Sequence, residues 1–206
     1  MNLRNFQLTV GRKSLKEIRQ KEIVIAFYKV AKKEGLKNAS IAKVAECMKV
    51  NPSLIIHYFK SRKELINALV DFTLNRYLEI YKLDGGIDSK EKLLALIDHL
   101  FSRSWHRLFD DGVFYSCYAL IYRNPSVKEK YKLLHDTLLV KFKQTLEEAQ
   151  NNGIIKIDDL EETAEVIFSM VDGAYFSLGM VSDLEERDRK AAFYKQYVKR
   201  MLNILD

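Results

Sequence analysis

The sequence predicts an all-α fold, and three of its features carry that expectation. Only 2 prolines and 8 glycines interrupt 206 residues, and these are the residues that break helices. Apolar side chains recur at three- and four-residue spacing along most of the chain, the period of a helix with one buried face. Capping residues stand at the head of one such run after another. No segment alternates apolar and polar residues for long enough to make a sheet, and about nine helices are expected.

The first helix opens at Ser14, where Ser14 and Glu17 have capping-box spacing ahead of the apolar series Ile18, Ile23, Ala26, Phe27, Val30 and Ala31, and Gly35 closes it at a left-handed position. A short second helix fits Ile41 to Met48, with Ser40 as N-cap and Ile41, Val44, Ala45 and Met48 on one face. Asn51 caps a third helix that starts at Pro52, an N1 proline whose missing N–H costs nothing there, and ends near Tyr58 with Phe59 turned inward. Ser61 and Glu64 repeat the capping-box spacing and open a long fourth helix that runs to about Lys82.

Asp84, Gly85 and Gly86 make the first clear break. A buried central helix is expected from Ser89 to Phe109, and a short aromatic one from Val113 to Tyr122. Asn124 and Pro125 start another long helix ending near Gly153, and two more fit Leu160 to Val181 and Glu185 to Leu205. The length suits a small domain plus a larger one. The boundary is placed at 1–60, with a basic N-terminal arm, and 61–206.

Charge separates the two parts. Residues 1–83 hold 17 Lys plus Arg against 7 Asp plus Glu, and the rest hold 17 against 21. A basic block joined to a mildly acidic one suits a first part that meets a polyanion and a second that does not. Arg4, Arg12 and Lys13 precede any apolar run, and no stretch reaches the roughly 20 apolar residues of a membrane span, so a cytoplasmic protein without membrane association is expected. Cys47 and Cys117 lie far apart in apolar helical patterns, which fits reduced, buried thiols.

Two short helices joined by a three-residue turn match the helix-turn-helix arrangement, in which the first helix seats the second in the major groove. Ala45, Val50, Ile55 and Phe59 have the spacing to hold the corner together, leaving Pro52, Ser53, Ile56 and His57 facing away. Base edges offer hydrogen-bonding groups and thymine methyls; Ser53 and His57 suit the former, Ile56 and Leu54 the latter. Lys49, Lys60, Arg62 and Lys63 sit at helix ends, where cations and free N–H groups grip phosphate. Ser40, Asn51 and Tyr58 complete the candidate DNA contacts. The alternative is an ordinary helical corner with solvated cations.

The set Ala39-Ser40-Ile41, Val44-Ala45-Glu46, Val50-Asn51 and His57-Tyr58-Phe59-Lys60-Ser61-Arg62-Lys63-Glu64-Leu65 resembles the TetR family of repressors over about residues 14 to 70, the remainder by helix pattern alone. The resemblance implies three DNA-binding helices, a fourth linking to a helical effector-binding domain, and a last pair of helices forming a dimeric bundle. Two positions depart from the family pattern. Lys49 stands where glycine is common, which implies a non-glycine residue in a costly conformation. Ile56 stands where a phosphate-contacting tyrosine is common, which implies that this contact passes to Tyr58 or Lys60.

The second part holds Phe101, Trp105, Phe109, Phe114, Tyr115, Tyr118 and Tyr122 within 22 residues. Aromatic walls with polar tips serve a small-molecule pocket and serve a plain core equally well. Phe101, Trp105, Phe109, Phe114, Tyr118 and Tyr122, with Asp172 from within an apolar helix, are the candidate effector pocket, and Asp172 among tyrosines suits a cation. His99 and His106 share a helix face, yet lack carboxylate or thiol partners at metal-ligand spacing. Gly173 lies in an otherwise apolar helix, where close approach of a neighbour would offset its cost. Gly173, Leu178, Phe193, Tyr197 and Met201 are the candidate dimer interface.

These features lead to a homodimeric, sequence-specific DNA-binding regulator released from a palindromic operator by a small-molecule effector. The alternative is a helical protein-interaction module that does not bind DNA. No metal site, cofactor or catalytic residue is expected, because the chain has no Glu-x-x-His pair, no His-Glu-x-x-His motif and no glycine-rich phosphate loop.

Overall fold

The computed structural model describes residues 14–80, 86–102 and 110–204, apart from the side chains of 79 and 80. Among the described residues are nine α-helices: α1 (Leu15–Glu34), α2 (Ile41–Met48), α3 (Pro52–Tyr58), α4 (Arg62–Ile80), α5 (Lys90–Leu100), α6 (Asp111–Tyr118), α7 (Pro125–Asn151), α8 (Leu160–Gly179) and α9 (Leu184–Met201). A 3-10 turn, Ala119–Tyr122, follows α6. No strand occurs among the described residues.

The caps explain the boundaries. At Ser14 the box closes in both directions: the Glu17 N–H donates to Ser14 Oγ and the Ser14 N–H donates to the Glu17 carboxylate, each at 3.2 Å. Gly35 ends α1 at φ 81°, ψ 148°, a region open to glycine alone and more extended than the left-handed cap expected there. At the head of α4 the Glu64 N–H donates to Ser61 Oγ at 3.2 Å, but the Glu64 carboxylate reaches one residue further out, to the Lys60 N–H at 3.0 Å.

The chain divides into two compact units. The first takes residues through Thr73 together with Asp111–Leu120, and the second takes Leu74–Asp110 and Ile121–Asp206. This partition differs from a cut at residue 60: twelve residues of α4 and all of α6 count with the first unit. Ile23 and Phe27 of α1, Val44 of α2, Ile55 of α3, Leu65 and Leu69 of α4 and Cys117 of α6 are among its fully buried side chains. Burying each large aliphatic or aromatic one contributes about 1.5–3 kcal/mol. Tyr28 and Phe72 add an edge-on ring pair with centroids 5.5 Å apart.

In the second unit α8 packs between α7 and α9, and α5 packs on α9. Phe101 stacks on Tyr194 at 6.0 Å, Lys195 pairs with Asp98 at 2.8 Å, and Tyr194 Oη lies 3.2 Å from Ser177 Oγ. The segment entering α5 is clipped to the end of α7. The Ile87 N–H donates to Glu148 at 3.1 Å, Asn152 Nδ2 donates to the Ile87 carbonyl at 2.8 Å, and a Cβ at Gly86 would collide with the Glu148 carboxylate.

Two expectations need correction or restriction. The helix opening at Ser89 is α-helical only to Leu100, where a turn at Phe101 and Ser102 ends it; its expected continuation through Trp105, His106 and Phe109 lies outside the described residues. Cys47 is exposed, because α2 has eight residues and turns only Val44 and Ala45 fully inward. Cys117 is buried as expected, and desolvation pushes its thiol up to about 12 against the opposing contact of the Thr73 hydroxyl.

A thiol reagent therefore distinguishes the two cysteines. At pH 8 the native protein is expected to react at Cys47 alone and the denatured chain at both, read by thiol titration before and after denaturant. Because the folded thiol titrates above the unfolded one, Cys117 contributes stability that is complete below about pH 9 and declines toward pH 12.

Candidate nucleic-acid interface

α2, the turn and α3 form one corner. The Lys43 N–H donates to Ser40 Oγ at 3.3 Å to start α2. The α2 helix stops at Lys49, whose backbone is left-handed at φ 54°, ψ 43°, while the Val50 N–H returns to the Ala45 carbonyl at 2.9 Å. That conformation costs a lysine about 1 kcal/mol or more, which glycine would avoid. Asn51 Oδ1 accepts the Ser53 N–H at 2.9 Å, and Pro52 follows it at N1.

With seven residues, α3 has room for one buried face. Ile55 is completely buried there and Phe59 nearly so, whereas Pro52, Ser53, Ile56, His57 and Lys60 are exposed. The exposed Ser53, Ile56 and His57 fall at i, i+3 and i+4, so they line one outward stripe of the helix, and Lys60 is exposed beyond its end. Leu54 and Tyr58 are half-buried at its margins, and the Tyr58 ring meets His57 edge-on at 5.1 Å. Gln20 Nε2 of α1 donates to the Tyr58 carbonyl at 3.4 Å, which ties down the C-terminal end of α3.

Arg62 is the exception among the expected phosphate contacts. Its Nε donates to the Ala39 carbonyl at 3.0 Å, and one terminal nitrogen donates to the Leu36 and Lys37 carbonyls at 2.6 and 3.3 Å. The guanidinium thus gathers the connection between α1 and α2 onto the start of α4. Lys49, Lys60 and Lys63 are exposed around the stripe. The positioning roles of Arg62 and Gln20 were not anticipated from the sequence. One signal was present for the former: a cation at a helix N-terminus opposes the macrodipole, and an arginine there brings a planar fork of donors suited to carbonyls.

The expected pocket residues are not gathered within one compact unit. Phe114 and Tyr118 count with the first unit, while Phe101, Tyr122 and Asp172 count with the second. Phe101 is buried in the α5–α9 stack, Tyr122 is 79% exposed, and Trp105 and Phe109 lie outside the described residues. Asp172 is exposed, which explains how an apolar helix carries it. Its carboxyl is nonetheless raised above the ordinary carboxylate range by crowding around it, opposed by His135; the open surface keeps that desolvation partial.

Of the expected interface residues, Leu178 is buried within its own chain and leaves the set, because it is turned toward the packed side of α8. Gly173 is exposed, and a Cβ there would meet nothing within 4 Å. Phe193 and Tyr197 of α9 are 57% and 46% exposed, with ring centroids 5.3 Å apart, and Met201 is half-buried. Val166 and Phe176 of α8 and Met180 at its C-cap are exposed as well, although the sequence pattern did not single them out.

Comparison with known proteins agrees with this architecture. Residues 26–69 match the model of the bacterial regulatory proteins of the tetR family, and residues 88–204 that of the tetracyclin repressor-like C-terminal domain. The HTH-type transcriptional regulator BetI of Stenotrophomonas maltophilia (strain R551-3) is 25% identical over 96 residues, covering 45% of this chain and 49% of the relative. BetI of Rhizobium meliloti (strain 1021) is 23% identical over 194 residues, 91% of each chain. A TetR transcription regulator from Haloarcula marismortui shares the fold at TM-score 0.75 and 16% identity, covering 92% of this chain and 98% of its own. A transcriptional regulator from Saccharomonospora viridis in complex with choline does so at TM-score 0.71 and 15% identity, covering 89% and 96%.

Replacing Arg62 by Ala is expected to lower stability by about 2 kcal/mol, since three carbonyls lose a charged donor. Lys63→Ala, one residue away and exposed, is expected to change it by less than about 0.5 kcal/mol. Urea unfolding followed by circular dichroism measures both, and equal effects would refute the structural role of Arg62.

Proposed function

The chain belongs to the TetR family of bacterial regulators, and from that premise we propose that it works as a homodimeric repressor, released from a palindromic operator by a small-molecule effector. The observation that carries the DNA-binding role is the outward stripe of α3. Complete burial of Ile55 fixes the short helix, while Ser53, Ile56 and His57 stand exposed on its other side, with the exposed Lys49, Lys60 and Lys63 beyond its ends. Such a stripe suits a major groove, with the cations on flanking phosphates.

Dimerisation supplies the second half of the recognition. A palindrome presents two half-sites about 34–36 Å apart, which calls for two copies of α3 related by a twofold axis. We assign the interface to the outer faces of α8 and α9. Val166, Phe176, Met180, Phe193 and Tyr197 leave apolar surface uncovered there, and bare Gly173 permits close backbone approach. A self-complementary patch is what a twofold interface needs.

An effector acts by its different affinity for the DNA-competent and released states. The α4 helix contributes residues to both compact units, so it is the element through which such a difference would reach the DNA-binding corner. The choline in one solved relative makes a small quaternary ammonium compound the first effector to try. We assign Asp172, exposed on α8, as a counter-charge for such a cation.

Two measurements test these assignments. Affinity for a duplex selected from a random pool is expected to fall steeply with salt, and Lys60→Ala or Lys63→Ala to reduce the slope by about 2 each, one phosphate per half-site. A salt-independent affinity, or none for any duplex, would overturn the DNA-binding role in favour of a protein-interaction module. The double substitution Phe193→Glu, Tyr197→Glu is expected to yield a folded monomer in sedimentation analysis; a dimer that survives it would remove α9 from the interface.

A further inference from the structure

We propose that Ile56 is a specificity-determining residue that reads the C5-methyl group of one thymine in each operator half-site. The proposal rests on the DNA-binding function above and adds which chemical feature of the base pair is recognised.

Ile55 and Ile56 are neighbours of identical type with opposite surroundings. Ile55 is fully buried and anchors α3, whereas Ile56 is 49% exposed. On the outward stripe its neighbours are the polar Ser53 and His57. A β-branched residue inside a seven-residue helix lowers helix propensity, and here only about half of its surface is buried in return. Its apolar surface is therefore available to something outside the chain.

The major groove narrows what that can be. Its edges present hydrogen-bond donors and acceptors at every base pair, and thymine alone adds an exposed methyl group. Branching at Cβ holds the isoleucine side chain in few rotamers, so little freedom is lost on contact. Leu54, the other apolar candidate on α3, is half-buried and off the stripe. Ser53 lies one turn before Ile56 and His57 follows it, which places hydrogen-bonding side chains beside the methyl contact.

The test uses the full-length protein and a duplex that it selects from a random-sequence pool. Uracil, which differs from thymine only by the missing methyl, replaces each thymine in turn, symmetrically in both half-sites. One position is expected to lose about fourfold in affinity per half-site, the scale of one buried methyl group. Ile56→Ala, at an exposed position, is expected to stay helical and dimeric and to bind the thymine and uracil duplexes alike. If uracil is tolerated everywhere, or if Ile56→Ala still prefers thymine, Ile56 does not read the methyl while DNA binding stands. If no duplex is selected at all, the DNA-binding function falls together with it.

Discussion

A helix of two turns cannot hold itself in water, so everything the DNA-binding corner does depends on how α3 is fastened. One fully buried side chain, Ile55, fixes its face. The Gln20 amide fixes its C-terminal end through the Tyr58 carbonyl, and Asn51 with Pro52 fixes its start. Arg62 holds the preceding connection by three carbonyl contacts. Because these anchors lie on one side or at the ends, the opposite side is left for a partner. Presentation of the stripe thus follows from how the helix is attached.

The same logic sets the roles of the cations. Lysines at 49, 60 and 63 extend into solvent and keep their charge for an external anion. Arginine at 62 directs its donors inward, where backbone carbonyls satisfy a planar fork that a single ammonium could not match. Adjacent charged residues therefore do different work, and counting them as one basic patch would merge binding with architecture.

Helix positions were legible in the sequence because local chemistry encodes them: Ser14, Ser40 and Asn51 cap in place, and Pro52 and Pro125 begin their helices. The outward face of α3 was legible for the same reason, since a seven-residue helix with one apolar anchor has little choice of orientation. What could not be read depends on contacts far apart in the chain. Pairing of Arg62 with carbonyls 23 to 26 residues away leaves no mark at local spacing. Assignment of α6 to the first unit depends on its packing against α1, and periodicity reports that a helix has a buried face without saying what covers it. For that reason the pattern could not say which unit each aromatic side chain from Phe101 to Tyr122 joins: Phe114 and Tyr118 count with the first, Phe101 and Tyr122 with the second.

The left-handed backbone at Lys49 has a wider consequence. Every folded copy of the protein carries strain there that one common substitution would relieve, and the site sits at the rim of the DNA-reading corner rather than in the core. A residue that weakens its own fold at such a place would be under competing demands if its charge serves DNA binding, thermal robustness on one side and hold on a polyanion on the other. Selection for heat tolerance alone would drive position 49 toward glycine, and a cation there is worth its strain only if its charge meets a phosphate.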